Sequence, residues 1–334
     1  MNFFKTLLIM GGMPALLCSA DNFKQAICTR LAVIGGGVAG YSAGIYGGNS
    51  GESTLVFVGP RPGGQLAIAG TVENMPGVVP QYGMSIIDRL EQQAESFGAK
   101  IVYEAVVSIS IADEGPRFTL ITSEGITYYA DAIVIATGSR PRTLGIPGES
   151  EFWGKGVSTC AVCDCTLAQG KDVVIVGGGD SAIEEALQLA SYAKSITLLL
   201  RSAEFRASPR MQEKIRNYNH ISYRNDVEVE EILGDDTGMT GIKIFNKSTL
   251  AHEIIHAEGL FLAIGQIPET DFIKNLLACD KYGYITLLER QKTSVEGIFA
   301  AGDATDDRYR QAVVASGDGA KAALDAVAYL RGID

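Results

Sequence analysis

The chain reads LAVIGGGVAGYSAGIY over residues 31–46 and DVVIVGGGDSAIEEALQLA over residues 172–190. Each stretch is an apolar, β-type run followed by three glycines and by small residues with helical character. That order is typical of the opening of a βαβ nucleotide-binding unit. The glycine positions of the two stretches match in register, so we predict an α/β protein with two doubly wound, Rossmann-like domains. The matching positions are Gly35, Gly37 and Gly40 in the first stretch and Gly177, Gly179 and Ala182 in the second.

Two stretches rich in glycine and proline mark the expected domain boundaries. Residues 138–149 read GSRPRTLGIPGE, and residues 266–268 form a Gln-Ile-Pro break after an apolar run. The segment that follows is small for an independent core, so it is expected to return to the first domain. We therefore predict a first domain from residues 30–142 and 271–334, with a second domain of residues 143–270 inserted in it.

Composition limits the classes of function. The 334 residues are 46% hydrophobic and 20% charged, as in a folded soluble protein. The formal charge of −11 makes nucleic acid an unsuitable partner, since no basic patch compensates for it. Three of the six cysteines fall within six residues, which indicates chemistry at one place more than the spaced bridges of a secreted, disulfide-stabilised fold.

The N-terminal segment allows two interpretations. Residues 1–20 read MNFFKTLLIMGGMPALLCSA, which resembles a secretory signal peptide. The apolar run is too short to span a bilayer, and Met10 and Met13 allow a later start or an unstructured extension. We predict residues 1–29 to be an extension to a cytoplasmic protein without a membrane span, with export as the alternative.

The sharpest local motif is Cys160-Ala-Val-Cys163-Asp164. Two cysteines at this spacing can close a redox-active loop, and a neighbouring carboxylate can exchange protons with a leaving thiolate. Half of a zinc site and two structural thiols are the alternatives. No metal site is predicted, because the histidines occur elsewhere without ligand spacing. Two of these, His252 and His256, are expected in a sheet or a loop.

A carboxylate at the end of a late strand is a candidate cofactor ligand. Asp303 ends the sequence AAGD and could accept hydrogen bonds from the hydroxyls of a ribityl chain. The alternative is a turn aspartate that caps the next helix.

Together these motifs give a family resemblance over residues 30–331. The pieces that carry it include GGQL at 63–66, VENMPG at 72–77, ATGSRPR at 136–142, GVSTCAVCDC at 156–165 and GIFAAGDATDDRYRQAVVASGDG at 297–319. In this order the chain resembles the bacterial, low-molecular-weight thioredoxin reductases. The resemblance implies Cys160 and Cys163 as the redox pair, Asp164 as the proton donor, a thioredoxin-like protein as partner and a homodimer.

The resemblance also implies two cofactor sites, for FAD and for NADPH, with NADH as a possible substitute. The implied FAD-binding residues are Gly35, Gly37, Gly40, Gly64, Gln65, Asn74, Gly138, Gly302, Asp303, Arg310, Gln311 and Ala312. Those of the nicotinamide nucleotide are Gly177, Gly179, Asp180, Ser181, Ala182, Arg201, Arg206 and Gly265.

Two departures from the family pattern leave alternatives open. NADPH-dependent members carry His-Arg-Arg before FRA, whereas this chain has Leu200-Arg201-Ser202 and adds Glu204. NADH or a donor such as a ferredoxin is therefore an alternative, as is a catalytically silent, redox-sensing flavoprotein. Cys165 stands where the family has glycine, either as an inert residue or as a third thiol that competes for Cys163.

Overall fold

The structure is a computed structural model that describes residues 27–69, 71–112 and 117–333. The predicted signal-like segment, residues 1–20, lies outside these ranges. None of the helices that are described is long and apolar enough to cross a membrane.

The first domain is built on a seven-stranded sheet in the order β5-β2-β1-β8-β7-β6, with β19 also paired to β8. Parallel pairing joins β1, β2, β5, β8 and β19, whereas β6, β7 and β8 pair in antiparallel fashion. The strands are β1 Ile27–Ile34, β2 Thr54–Phe57, β5 Lys100–Val102, β6 Val106–Ile111, β7 Phe118–Thr122, β8 Thr127–Ile135 and β19 Ile298–Ala300. A separate small ribbon pairs β3 Thr71–Val72 with β4 Gln81–Tyr82.

Four helices belong to this domain: α1 Val38–Asn49, α2 Gly64–Ala67, α3 Gly83–Ser96 and α6 Ala312–Arg331. Buried side chains of β1, β8, α1 and α6 share one core cluster. The end of the chain thus completes the first domain, which confirms the predicted fold class with one domain inserted in the other.

The second domain contains a five-stranded parallel sheet in the order β10-β17-β11-β12-β13. Its strands are β10 Val157–Ser158, β11 Asp172–Val176, β12 Ser195–Leu199, β13 Ile221–Arg224 and β17 Gly259–Leu262, and its helices are α4 Asp180–Leu189 and α5 Pro209–Ile215. An antiparallel sheet of β14 Val227–Asp235, β15 Gly238–Asn246 and β16 Ala251–His256 packs beside it. The last strand contains His252 and His256, in the sheet as predicted.

The two crossings between the domains lie side by side. Strand β9, Ser139–Pro141, pairs antiparallel with β18, Gln266–Pro268, and Arg140 Nε lies 2.8 Å from Glu269 Oε1. The boundaries predicted after residues 142 and 270 fall close to this ribbon and stay predictions.

One local expectation needs correction. Residues 116–136 alternate as PRFTLITSEGITYYADAIVIA, a pattern that predicts a hairpin followed by a buried strand. In the structure the second strand of the hairpin, β8, is itself the buried strand, because it continues beyond its antiparallel contact with β7 into the centre of the sheet between β1 and β19.

Candidate active site

A cavity of about 550 Å³ opens beside the first glycine loop and is called here the glycine-loop cavity. It lies where β1 ends and α1 begins, the usual place for a ligand in an open parallel sheet. Ten of the twelve residues expected to bind FAD line it: Gly35, Gly37, Gly64, Gln65, Asn74, Gly138, Asp303, Arg310, Gln311 and Ala312.

The other two glycines, Gly40 and Gly302, are absent from the cavity wall and lie in packing positions. A Cβ on Gly40 would collide with the carbonyl oxygen of Gly35, so Gly40 allows α1 to approach the loop. A Cβ on Gly302 would lie 3.0 Å from that of Ala39. These two glycines therefore support the cavity wall through packing and do not line it.

The cavity walls fit a dinucleotide in two respects. A Cβ added to Gly37 would meet nothing within 4 Å, so the backbone at the start of α1 is open to a ligand. The amide groups at such a helix start suit a pyrophosphate. In addition, the hydroxyl oxygen of Thr137, a lining residue, is buried without a hydrogen-bond partner in the described part of the chain.

The returning segment contributes polar groups to the cavity wall. Burial raises the pKa of Asp303 to about 6, and the nearby positive charge of Arg310 opposes that shift. Gln311 precedes the first turn of α6, and its Oε1 accepts a hydrogen bond from Asn74 Nδ2 at 3.3 Å. The positive end of a twenty-residue helix therefore points at this wall.

The second glycine loop repeats the first in its local geometry. Gly179 precedes α4 with φ −94° and ψ 179°, close to Gly37 before α1 with φ −89° and ψ −175°. A Cβ on Gly179 would also meet nothing within 4 Å. Gly177 and Ala182 pack together, because a Cβ on Gly177 would lie 2.9 Å from the Ala182 Cβ.

The remaining residues expected to bind nicotinamide nucleotide surround this loop. Asp180 Oδ1 accepts a 2.7 Å hydrogen bond from the Ser208 amide, and the Arg206 amide donates to Gly178 O at 2.7 Å. The side chains of Ser181, Arg201 and Arg206 are exposed. Neither arginine forms an ion pair with any residue of the described ranges. Gly265 lies apart from them, beside the Arg142 side chain at the interdomain ribbon.

Cys160 and Cys163 form a disulfide, with their Cα atoms 5.3 Å apart. They lie in a loop between β10 and β11, and the Cys163 amide donates to Cys160 Sγ at 3.2 Å. Cys163 lines the glycine-loop cavity, whereas Cys160 does not. The disulfide thus stands at the edge of the candidate cofactor site although it belongs to the other domain.

A second cavity of about 780 Å³ separates the two domains and is called here the interdomain cleft. Both disulfide cysteines line it, as do Asp164 on the same loop and Arg310 of the first domain. The two cavities share Cys163 and Asp164 in their walls, so the disulfide region joins them.

Asp164 is partly buried next to the disulfide. Burial raises the pKa of its carboxyl group, and a hydrogen bond from Ser158 opposes this rise. Ser158 Oγ donates to Asp164 Oδ2 at 2.5 Å and accepts from the Cys160 amide at 3.1 Å. A carboxyl group in this setting can hold or release a proton beside the sulfur atoms.

The side chain of Cys165, the third cysteine of the cluster, faces the core of the second domain. It is a free thiol that packs against the core cluster containing Ala161 and Ile183. Its sulfur also hydrogen-bonds the Tyr192 hydroxyl and thereby raises the pKa of Tyr192. These contacts favour the inert-residue interpretation over a thiol that competes for Cys163.

Sequence reasoning missed three residues of the site: Ser158, Thr137 and Glu185. Glu185 lies on α4 and lines the interdomain cleft, where Oε2 is buried without a partner among the described residues. Burial raises its pKa to about 8, and the charge of Arg310 opposes the rise. Ser158 and Thr137 lie inside motifs that the sequence shows, GVSTCAVCDC and ATGSRPR, whereas nothing in the helical pattern of α4 distinguishes Glu185 from exposed Glu184.

The family model for "Pyridine nucleotide-disulphide oxidoreductase" matches residues 29–319. Among curated proteins, "Thioredoxin reductase" of Helicobacter pylori strain J99 is 39% identical over 306 residues, covering 90% of this chain and 98% of that protein. "Bifunctional thioredoxin reductase/thioredoxin" of Mycobacterium leprae is 41% identical over 303 residues. That match covers 90% of this chain but only 66% of the longer protein.

A solved structure gives the same picture in three dimensions. The thioredoxin reductase from Giardia duodenalis superposes with a TM-score of 0.85 at 43% identity, covering 91% of this chain and 99% of that one. The likeness therefore extends through both domains and the loop that carries the disulfide.

Proposed function

Because the chain belongs to the pyridine nucleotide-disulphide oxidoreductase family, we propose that it is a thioredoxin reductase acting on a thioredoxin-like protein. Electrons would pass from NADPH, through FAD, to the Cys160–Cys163 disulfide and then to the partner. The observation that carries this proposal is the position of the disulfide, with Cys163 on the wall of the glycine-loop cavity and both cysteines on the interdomain cleft.

FAD is the cofactor that the glycine-loop cavity suits. Gly37 would offer open backbone to the pyrophosphate, Asp303 would accept hydrogen bonds from the ribityl hydroxyls, and the start of α6 at Gln311 would face the ring system. A flavin held here supplies two-electron exchange with a nicotinamide nucleotide. The positive end of α6 would favour a reduced, anionic ring.

The cysteines have different surroundings, and we assign them different tasks. Cys163 lines the cofactor cavity and is the side at which electrons would reach the disulfide. When the pair accepts two electrons, the S–S bond would break. One sulfur would take a proton from Asp164 and become a thiol, and the other would become a thiolate. The Cys163 amide points at Cys160 Sγ and would stabilise a thiolate there. That thiolate would attack the partner disulfide, and the second cysteine would then resolve the mixed disulfide.

The nicotinamide nucleotide would bind at the second glycine loop, with NADPH preferred. Arg201 and Arg206 are exposed cations near that loop, free of ion pairs with described residues, and would pair with a 2′-phosphate. Glu204 lies between them in the chain and weakens this preference, so NADH is the competing donor.

The partner and the assembly are part of the same proposal. A thioredoxin-like protein needs an interface of roughly 800 Å² on each side, far more than a narrow cleft presents. The second domain would therefore rotate about the β9–β18 ribbon to release the disulfide to the partner. We also propose a homodimer, as the family resemblance implies.

The test is thioredoxin-disulfide reduction by the purified flavoprotein with NADPH or NADH at equal concentration. Wild type is expected to turn over faster with NADPH, and Cys160→Ser to lose turnover by at least about 10³-fold, since the thiolate nucleophile is gone. Cys165→Ser is the matched control, with a cysteine lost from the same loop, and should keep near-wild-type turnover.

Three outcomes would contradict parts of the proposal. Faster turnover with NADH would overturn the NADPH assignment. A bound flavin that neither nucleotide bleaches would move the search to another donor, such as a ferredoxin, or to a silent flavoprotein. Flavin bleaching by NADPH without any reduction of thioredoxin, in wild type as in Cys160→Ser, would overturn the assigned partner.

A further inference from the structure

Ser158 is a buried hydroxyl that connects the disulfide loop to its carboxylate. Its side chain is only 3% exposed, at the end of β10. The hydroxyl accepts a hydrogen bond from the Cys160 amide at 3.1 Å and donates its proton to Asp164 Oδ2 at 2.5 Å. One side chain thus contacts both the first redox cysteine and the acidic residue that follows the second.

This contact makes the two oxygens of the Asp164 carboxyl group unequal. Oδ2 is occupied by Ser158, whereas Oδ1 has no hydrogen bond to any residue in the described ranges. Asp164 lines both the glycine-loop cavity and the interdomain cleft. The backbone adds a second constraint, because the Asp164 amide donates to Cys160 O at 3.0 Å.

We propose that Ser158 is a positioning residue for proton transfer at the disulfide: by holding Asp164 Oδ2, it leaves Oδ1 as the oxygen that carries the proton. The inference deepens the proposed function and rests on it for the redox role of the cysteines. As two electrons break the S–S bond, the proton on Oδ1 passes to one sulfur and the other sulfur stays a thiolate. The carboxylate regains a proton when the disulfide forms again.

The charge state of Asp164 depends chiefly on these same contacts. Burial raises the pKa of the carboxyl group and the Ser158 hydrogen bond lowers it, because the bond stabilises the ionised form. No described charged group makes a hydrogen bond or ion pair with Asp164. The charged side chains that line the cleft with it are Glu73, Glu184, Glu185, Lys214, Asp303, Arg308 and Arg310.

The experiment is a double-mutant cycle of Ser158→Ala and Asp164→Asn in the holoprotein. The readout is the pH dependence of the rate at which dithiothreitol reduces the Cys160–Cys163 disulfide. Ser158→Ala should move the controlling pKa upward by about one unit or more, because a hydrogen bond to a charged group is lost. It should also slow proton transfer several-fold. In the Asp164→Asn background the same change should have almost no further effect.

Two further variants distinguish a positioning role of Ser158 from a purely structural one. Ser158→Thr keeps the hydroxyl and should return the wild-type pH profile. Ser158→Gly also lacks the hydroxyl and should reproduce the upward shift if Ser158→Ala folds poorly. The flavin spectrum and the thermal midpoint report whether each variant is folded. An equal loss of rate in both backgrounds with an unmoved pH profile would overturn the proposal.

Reduction by dithiothreitol needs neither a nicotinamide nucleotide nor a thioredoxin. Failure of this inference is therefore distinguishable from failure of the proposed function. If Ser158→Ala shifts the pH profile as expected but the wild type cannot reduce thioredoxin with NADPH, the proposed function alone is contradicted. If the wild type reduces thioredoxin but Ser158→Ala leaves the pH profile of dithiothreitol reduction unmoved, the inference about Ser158 alone is contradicted.

Discussion

Buried carboxyl groups govern the chemistry around the cleft at the scale of single residues. Burial raises the pKa of Asp164, Glu185 and Asp303. The contact that opposes this rise is a hydroxyl for Asp164 and the charge of Arg310 for the other two. Arg310 lines both cavities, so one cation of the first domain influences a carboxyl group on each side of the cleft.

Glu185 gives a prediction about stability against pH. Its pKa of about 8 in the fold lies above the value in the unfolded chain, so between these values the folded state binds more protons. The folded state therefore loses stability over this interval, because the unfolded chain releases the Glu185 proton first. The loss is complete once the pH has risen through about 8. Glu185→Gln removes this loss. It should leave the holoprotein more stable than wild type by on the order of 2 kcal/mol at about pH 9, with little difference at about pH 5.

Thermal unfolding of wild type and Glu185→Gln across this pH range measures the effect. Glu184→Gln is the matched control, since Glu184 is the neighbouring residue of α4 and is exposed. It should follow the wild-type curve. A difference in thermal midpoint between wild type and Glu185→Gln that does not widen as the pH rises would show that Glu185 is not held in its neutral form.

At the scale of elements, the two strand–loop–helix units are near copies in different surroundings. Both loops place an open glycine before the helix, Gly37 before α1 and Gly179 before α4. The surroundings separate them, because GGQL and the returning α6 close the first loop into a cavity. The exposed Arg201–Arg206 segment lies beside the second loop.

A pair of matched substitutions tests this division. Gly37 has a backbone conformation that any residue adopts, so Gly37→Val fills the cavity without backbone strain. It should abolish flavin binding while the chain still folds. Gly179→Val, at the corresponding position, should retain flavin but lose its bleaching by NADPH by at least about 10-fold. The flavin content and the bleaching rate are the measurements. Loss of flavin from Gly179→Val alone would reverse the assignment of the two loops.

The elements also show what sequence patterns can and cannot predict. Local patterns of period and glycine spacing predicted both βαβ openings, because these features depend on neighbours in the chain. Ser158 reaches Asp164 through a loop conformation, and the environment of Glu185 combines burial with the charge of Arg310 from the other domain. Contacts between distant segments leave no periodic signal, so these roles required the structure. The hairpin at β7 and β8 was misread for the same reason, since burial of β8 depends on β1.

At the scale of the whole molecule, the inserted domain brings its disulfide to the cofactor cavity of the other domain. In the described part of the chain, the β9–β18 ribbon carries both crossings between the domains, paired side by side. The arrangement described here suits electron transfer to the disulfide, because Cys163 lies on the glycine-loop cavity. The proposed reduction of a protein partner would need another arrangement, with the disulfide released from the cleft.

The most direct test of the central claim is an anaerobic reductive titration that counts the reducing equivalents needed to bleach the flavin fully. If the flavin and the Cys160–Cys163 disulfide exchange electrons, wild type should take up twice as many equivalents per flavin as Cys160→Ser, because each couple accepts two electrons. Equal uptake by the two proteins would mean that the disulfide lies outside the path of electrons, and the account would be contradicted.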